Sequence, residues 1–430
     1  MAFGLRALTS LAGSDVLDRL SLRERAERMV NKTTKSGFRA GAAAGRTFSR
    51  VSRNGKPSRQ STGARSDLFD LTPDDEQAMM REAVGDFAQK HFRKAALDAD
   101  AACEPPAELM SQANELGISM LGVPEELGGA VSERSAVTSA LVTEALGRGD
   151  MGLALAALSP AAVATAIGLW GDSGQQGTYL PELVGDDVPV AALAIQEPRA
   201  LFDPFELRTT ATRSGDGFTL SGEKSLVARG ADSELFIVGA SLDDRPALFI
   251  IEAKAKGVLV EPKPAMGLRA AATANLKLDS VALPADALLG EGSPDVFADC
   301  VRLGRIAWAA LAVGTAHAVV DYVIPYVNER VAFGEPISHR QAVAFMIADM
   351  ATELEGMRLV MLRAASRVDQ GLAFSRESAL ARRIVAQKGM QIGSDGVQLL
   401  GGHGYIKEHP VERWYRDLRA AGIVEGGLLV

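Results

Sequence analysis

Val397-Gln-Leu-Leu-Gly-Gly-His-Gly-Tyr405, followed by Val411-Glu-Arg-Trp-Tyr-Arg-Asp-Leu418 and Ile423-Val-Glu-Gly426, sets three chemical devices in one stretch near the end of the chain. Gly401, Gly402 and Gly404 leave backbone uncovered, since a glycine has no Cβ to hold off a phosphate-bearing ligand. Arg413 and Arg416 follow as cations. Glu425 then stands between an apolar Val424 and a flexible Gly426. Burial makes a carboxylate more basic, which is the property a general base needs.

Moving outward, Arg330-Val-Ala-Phe-Gly-Glu-Pro-Ile337, Gln341 and Ala348-Asp-Met350 precede that stretch. In order and spacing these pieces closely resemble the acyl-CoA dehydrogenase family over the last third of the chain, and a weaker resemblance continues upstream to about residue 70. Several independent motifs in register make the match specific; a lone Gly-Gly would not. The resemblance implies an α+β fold: an N-terminal α-helical domain over 67–187, a middle antiparallel β-barrel or sandwich over 188–292, and a C-terminal four-helix-type bundle over 293–430. It also implies FAD between the middle and C-terminal domains, with a fatty acyl-CoA thioester lying against the flavin. Glu425 would then take the α-proton while the β-hydrogen leaves as hydride, giving the trans-2-enoyl-CoA. Other members carry the base on the first long C-terminal helix, where this chain has Gly304, so Glu425 is the candidate base.

By the same resemblance, Arg330, Phe333 and Gln341, with Gln398, Gly401 and Gly402, serve the FAD, in part that of a neighbouring subunit. Ile195, Gln196 and Ala228 line it from the middle domain. Arg269, in Met266-Gly-Leu-Arg-Ala270, lies near the thioester, and Phe202 faces the CoA. A site built from two chains implies a homodimer or a homotetramer. The implied electron acceptor is an electron-transfer flavoprotein.

The middle domain departs from the family pattern. Gln196-Glu-Pro198 replaces the usual Thr-Glu-Pro, and Phe202 stands in place of a serine. Gly222-Glu-Lys224 is family-like, yet Leu226 replaces an aromatic and Ala228 a hydroxyl. Each lost side-chain hydrogen bond weakens cofactor binding by about 0.5–1.5 kcal/mol. The chain also runs only five residues past Glu425, which implies a more open site. These departures keep a second reading beside the enzyme: a catalytically weak or non-catalytic subunit that completes the flavin site of a paralogous partner.

The bulk properties agree with a large folded body. With 430 residues, 47% hydrophobic and 23% charged, the chain can bury two or three cores. Cys103 and Cys300 give no disulfide framework, and five scattered histidines give no metal-ligand spacing. The net charge of −8 hides an asymmetry: residues 1–66 hold 14 Lys and Arg against 4 Asp and Glu, leaving −18 for the rest. So acidic a body argues against nucleic acid as a partner. The basic extension reads as a flexible arm with a helical start, suited to peripheral membrane contact. The expected compartment is the cytoplasm, or the mitochondrial matrix if the extension is a transit peptide.

Thr72-Pro-Asp-Asp-Glu76 predicts a helix start with Thr72 as cap. Met151 to Trp170 is uncharged and long enough to span a bilayer, but Ser159-Pro160 at its centre and its many small residues favour a buried bundle helix. Phe218-Thr-Leu-Ser221, Leu235-Phe-Ile-Val238, Leu248-Phe-Ile-Ile251 and Val258-Leu-Val260 predict short strands.

Overall fold

A computed structural model describes residues 72–123, 125–129, 134–185 and 187–424. The basic extension and Glu425 lie outside the described residues.

Helix α1 (Asp75–Phe87) starts from Asp74 rather than Thr72. The Asp74 carboxylate accepts from the Gln77 amide at 2.8 Å while the Gln77 side chain accepts from the Asp74 N–H at 3.2 Å, a reciprocal pair that outcompetes a lone threonine. Helices α2 (Arg93–Ala102), α3 (Ala107–Glu115), α4 (Ala136–Gly149), α5 (Met151–Trp170) and α6 (Ser173–Leu183) complete the first helical layer. Both α5 and α7 (Pro294–Glu329) are long and apolar enough to cross a membrane, yet 67% and 72% of their most apolar windows are buried inside the protein. Helices α8 (Gln341–Asp369), α9 (Ser375–Leu400) and α10 (Val411–Ala420) pack with α7 as the C-terminal bundle.

Glycines let α4 and α7 touch along their backbones. A Cβ on Gly147 would lie 2.6 Å from the Leu311 carbonyl, and one on Gly314 would meet the Glu144 carbonyl. The Thr315 hydroxyl, freed to reach across, donates to the Gly147 carbonyl at 3.0 Å.

Between the helical layers lies an eight-stranded sheet in the order β6-β7-β3-β2-β4-β5-β8, with β1 also paired to β4. Its strands are β1 (Ala191–Ala194), β2 (Thr210–Ser214), β3 (Gly217–Val227), β4 (Leu235–Leu242), β5 (Arg245–Glu252), β6 (Val258–Pro262), β7 (Ala274–Leu283) and β8 (Leu288–Leu289). The sheet stays open and does not close into a barrel. It is mostly antiparallel, but β1 and β2 run parallel to β4. Alternation along the strands divides its work. Phe236, Val238, Phe249 and Ile251 share one core with Phe218 and Leu220 of β3 and with Leu276 and Leu278 of β7, as in a sandwich. Leu235, Ile237, Leu248 and Ile250 turn the other way, against α5, α6 and the start of α7. The β4–β5 ribbon is thereby buried on both faces, which is why it reads as continuous apolar runs.

Candidate active site

Two helical stripes and one bulged strand make a cleft. Leu155, Leu158, Ser159 and Ala162 on α5 face Gly304, Ala307, Trp308 and Leu311 on α7, each set at the i, i+3, i+4, i+7 spacing of a single helix face. Leu193, Ile195, Gln196, Ser225, Leu226 and Ala228 form the third wall, and Val424 closes the side from which the chain runs on to Glu425. The cleft encloses about 130 Å³, and a second cavity of about 150 Å³ between α4, α5 and α7 shares Leu158, Ala162, Leu193, Gly304 and Ala307 with it as lining. Ser159 fixes α5 to the sheet by donating to the Ala191 carbonyl at 2.7 Å.

The strand wall is locally strained. Between the pairs Lys224–Leu276 and Val227–Ala274, two residues of β3, Ser225 and Leu226, stand opposite Asn275 of β7, and Leu226 sits in the left-handed region at φ 55°. A branched side chain adopts that conformation only when the surroundings impose it, and such strain concentrates at ligand sites. Here the bulge brings Ser225 and Leu226 to the cleft.

Beneath this wall, Glu197 is 3% exposed and anchors the loop that carries Ile195 and Gln196. Its carboxylate accepts from the Arg208 and Thr209 amides at 2.9 and 2.8 Å and from the Lys224 ammonium at 3.0 Å. Burial pushes Lys224 down to about 8 against the pull of Glu197, while Lys224 and the two amides hold Glu197 below its ordinary value against its own burial.

On the opposite side, Asp100 is 2% exposed and takes a two-pronged bond from Arg416 at 2.9 and 3.0 Å. Arg416 is thus a structural cation, shared with Glu412 on its own helix. Arg269 is half-buried and also turned to this cluster, donating to the Asp100 carbonyl at 2.9 Å; it is not among the residues lining the cleft. Asp150 caps α5 through the Leu153 amide at 3.0 Å and pairs with Arg413 at 3.0 Å.

Asp417 accepts from the Leu268 amide at 2.6 Å. Burial first, and the Asp150 charge second, push it up to about 8. The folded protein therefore holds one more proton than the unfolded chain from 3.8 to about 8. This contribution is complete below that window and is lost as pH rises through it. Tm is expected to fall as pH rises from about 5 to about 8, and Asp417→Asn, neutral throughout, should flatten that decline. An unchanged slope in the variant would assign the pH dependence to other groups.

Phe202 is not presented to a ligand. An aromatic ring in place of a small polar group buries itself: it is 2% exposed in the apolar core beside Leu207 and Phe297, with the Arg199 guanidinium 5.3 Å over its ring. Ala228 lines the cleft but supplies no side-chain donor, and Gln196 lines it with a carboxamide that both donates and accepts.

The remaining expected residues lie on the surface of the chain. Arg330, Gln341, Gln398, Gly401 and Gly402 are exposed. Phe333, 95% exposed at the tip of the β9 (Val331–Ala332) to β10 (Glu335–Pro336) hairpin, sits with Gly334 in a turn whose two residues have φ of 55° and 89°. Arg340 lies 5.2 Å from its ring. A Cβ on Gly401 or Gly402 would meet nothing within 4 Å, whereas one on Gly404 would strike the Val397 carbonyl. Packing thus explains Gly404, and a left-handed φ of 57° at the end of α9 calls for glycine at 401, which leaves Gly402 without a reason among the described residues. Val331, Phe345 and Tyr405 add exposed apolar surface, at 58%, 59% and 88%.

The sequence reading missed Trp308 as a cleft residue, although the helical stripe of α7 was an available signal. Leu226 was read at the flavin site in place of an aromatic, but the strain of its bulge shows only in the structure.

Family models for the acyl-CoA dehydrogenase N-terminal, middle and C-terminal domains match residues 74–187, 192–281 and 294–428. An acyl-CoA dehydrogenase of Bacillus subtilis is 32% identical over 360 residues, which cover 82% of this chain and 94% of that one. Among solved structures, butyryl-CoA dehydrogenase from Megasphaera elsdenii superposes with a TM-score of 0.78 at 28% identity, covering 84% of this chain and 97% of its own. The FAD complex of PigA superposes equally well, at 0.78 and 26% identity, covering 84% and 96%. With the three domain models matched in order along one compact body, the chain belongs to the acyl-CoA dehydrogenase family.

Proposed function

We propose that this protein is an FAD-dependent acyl-CoA dehydrogenase that converts a fatty acyl-CoA thioester to the trans-2-enoyl-CoA, with Glu425 taking the α-proton. One observation carries the reading: Val424 lines the cleft, no carboxylate stands among the described lining residues, and the next residue in the chain is Glu425. The cleft suits a flat ring system, being walled by a bulged strand on one side and by the smooth Gly304, Ala307 and Trp308 face on the other. Ile195, Gln196 and Ala228 would hold the cofactor from the middle domain; FAD, when bound, accepts the hydride that leaves the β-carbon. The apolar stripes of α5 and α7 exclude water from the thioester and orient its chain, so that the base meets the α-carbon in a dry setting.

Arg330, Phe333, Gln341, Gln398, Gly401 and Gly402 serve the flavin of a second copy, which supports a homodimer or homotetramer. Their exposure, the strained Phe333 turn and the bare Gly402 backbone support this assignment. Electrons would pass onward to an electron-transfer flavoprotein.

The test is the visible spectrum of the full chain purified alone, with FAD quantified after denaturation and an acyl-CoA series then added without oxygen. Near-stoichiometric FAD that bleaches with a thioester is expected. A colourless protein that takes up no FAD would refute the enzyme reading. It would favour the paralogue-completing subunit, for which the missing hydroxyl at Ala228 is the supporting observation.

A further inference from the structure

The buried carboxyl of Asp417 stands at a junction that the chemistry above does not use. Its helix, α10, leads to the cleft. Hydrogen bonds from the Ile423 and Val424 amides to the Ala420 carbonyl, at 2.9 and 3.0 Å, carry the helical path on to Val424, which lines the cleft one residue before Glu425. From Asp417 to Val424 that path rises about 10 Å at 1.5 Å per residue.

Against α10 lies the loop 266–272, and the two backbones touch. A Cβ on Gly267 would fall 2.3 Å from the Arg416 carbonyl oxygen and 2.8 Å from the Asp417 nitrogen. The Arg416 guanidinium donates to the Met266 carbonyl at 3.0 Å, and the Asp417 carboxyl accepts from the Leu268 amide at 2.6 Å. Leu268 and Ala272 are both left-handed, at φ of 55° and 47°, a conformation that such residues hold only under constraint. The far end of the loop reaches the strand wall. The Arg229 amide, directly after the cleft residue Ala228, donates to the Ala271 carbonyl at 2.8 Å. The Ala270 methyl lies 3.1 Å from where a Cβ on Gly152 of α5 would stand. One loop therefore joins α5 and the strand wall to the helix that leads to Glu425.

A carboxyl in so buried a place is costly for packing alone. Asp417 is 2% exposed, and its charged neighbours are Asp150, Arg416 and Arg413. Both arginines are committed to other carboxylates, Arg413 to Asp150 and Arg416 to Asp100 and Glu412. What the Asp417 side chain itself holds, among the described residues, is the Leu268 amide. Resting on the reading that Glu425 takes the α-proton, we infer that Asp417 is a positioning residue for that step: its bond to the strained loop fixes α10, and so the segment that carries the base, in register with the strand wall. Proton abstraction is steep in this register, since a misplacement of about 1 Å can cost about 10²-fold in rate.

The experiment compares Asp417→Ala and Asp417→Asn with the wild-type full chain, purified with its flavin. Three quantities are read: FAD content, the Kd of a non-reacting 3-thia acyl-CoA, and the rate at which an acyl-CoA bleaches the flavin without oxygen. Asp417→Ala should bleach about 10²-fold more slowly while FAD content and analogue Kd stay within about twofold of wild type. Asp417→Asn keeps the shape and the acceptor, so it should bleach within about threefold of wild type. Gly267→Ala, whose Cβ strikes the Arg416 carbonyl, parts loop and helix by another route and should show the same split; it replaces Asp417→Ala if that variant does not fold. Wild-type bleaching in the alanine variants would overturn the inference. So would an equal loss of FAD, binding and rate, which makes Asp417 a general structural residue, or an asparagine variant as slow as alanine. Glu425→Gln run alongside separates the two readings: if it bleaches at the wild-type rate, the base assignment falls and this inference with it.

Discussion

Glu425→Gln should leave FAD bound and cut turnover of the preferred acyl-CoA by about 10²–10⁴-fold, the usual contribution of a general base. The expectation follows from what the cleft lacks. Its described walls offer hydroxyl, carboxamide, indole and alkyl groups but no carboxylate and no imidazole. Gly304, where other members of the family place their base, has no side chain. The second cavity is equally free of carboxylates among its described lining residues, and its one charged group is an arginine. Glutamine keeps the size of the side chain and removes its basicity, so packing and cofactor binding should survive. Anaerobic bleaching of the flavin by substrate isolates the chemical step. Bleaching at the wild-type rate would remove Glu425 from the mechanism.

The C-terminal helices and the strands of the middle domain were legible in the sequence because each rests on local pattern. Helical period, short apolar runs between turns and ordered motifs all act over a few residues. Contacts across the chain were not legible. Arg416 reads as a free cation beside a glycine-rich turn, yet it is committed to Asp100, 316 positions away. Arg269, expected at the thioester, is drawn to the same aspartate. Phe202 reads as a change within a ligand loop, but its volume and apolarity send it into the core. The cap at Asp74 rather than Thr72 was decided by a reciprocal bond with Gln77 that two candidate caps in one short stretch leave open.

Glu197→Ala should cost about 3–5 kcal/mol of stability, the range for breaking a buried pair from one side, and should lose FAD even where the protein stays folded. Three donors converge on this carboxylate: Arg208 N–H, Thr209 N–H and the Lys224 ammonium. Lys224 is wholly buried, and the Ile195 carbonyl at 3.2 Å is the acceptor that remains to it in the variant. Without Glu197, Lys224 would lose the attraction that supports its charge, and burial already holds it down to about 8. Its pKa would fall further, so the penalty of the substitution should be largest below that lowered value and should ease as pH rises to about 8, above which Lys224 is neutral in both folded proteins. The functional loss follows from position. Glu197 directly follows Ile195 and Gln196, which line the cleft, and Lys224 directly precedes the bulge at Ser225 and Leu226. The Ser225 amide donates to the Gln196 carbonyl at 2.9 Å, so the two segments form one wall stapled at a single ion pair. Glu197→Gln offers a graded control, since a carboxamide oxygen can still accept from the two amides while giving up the attraction to Lys224. Its stability and FAD content should fall between wild type and alanine. Measured by denaturant titration and flavin content, a Glu197→Ala protein as stable and as yellow as wild type would show that the wall stands without the pair.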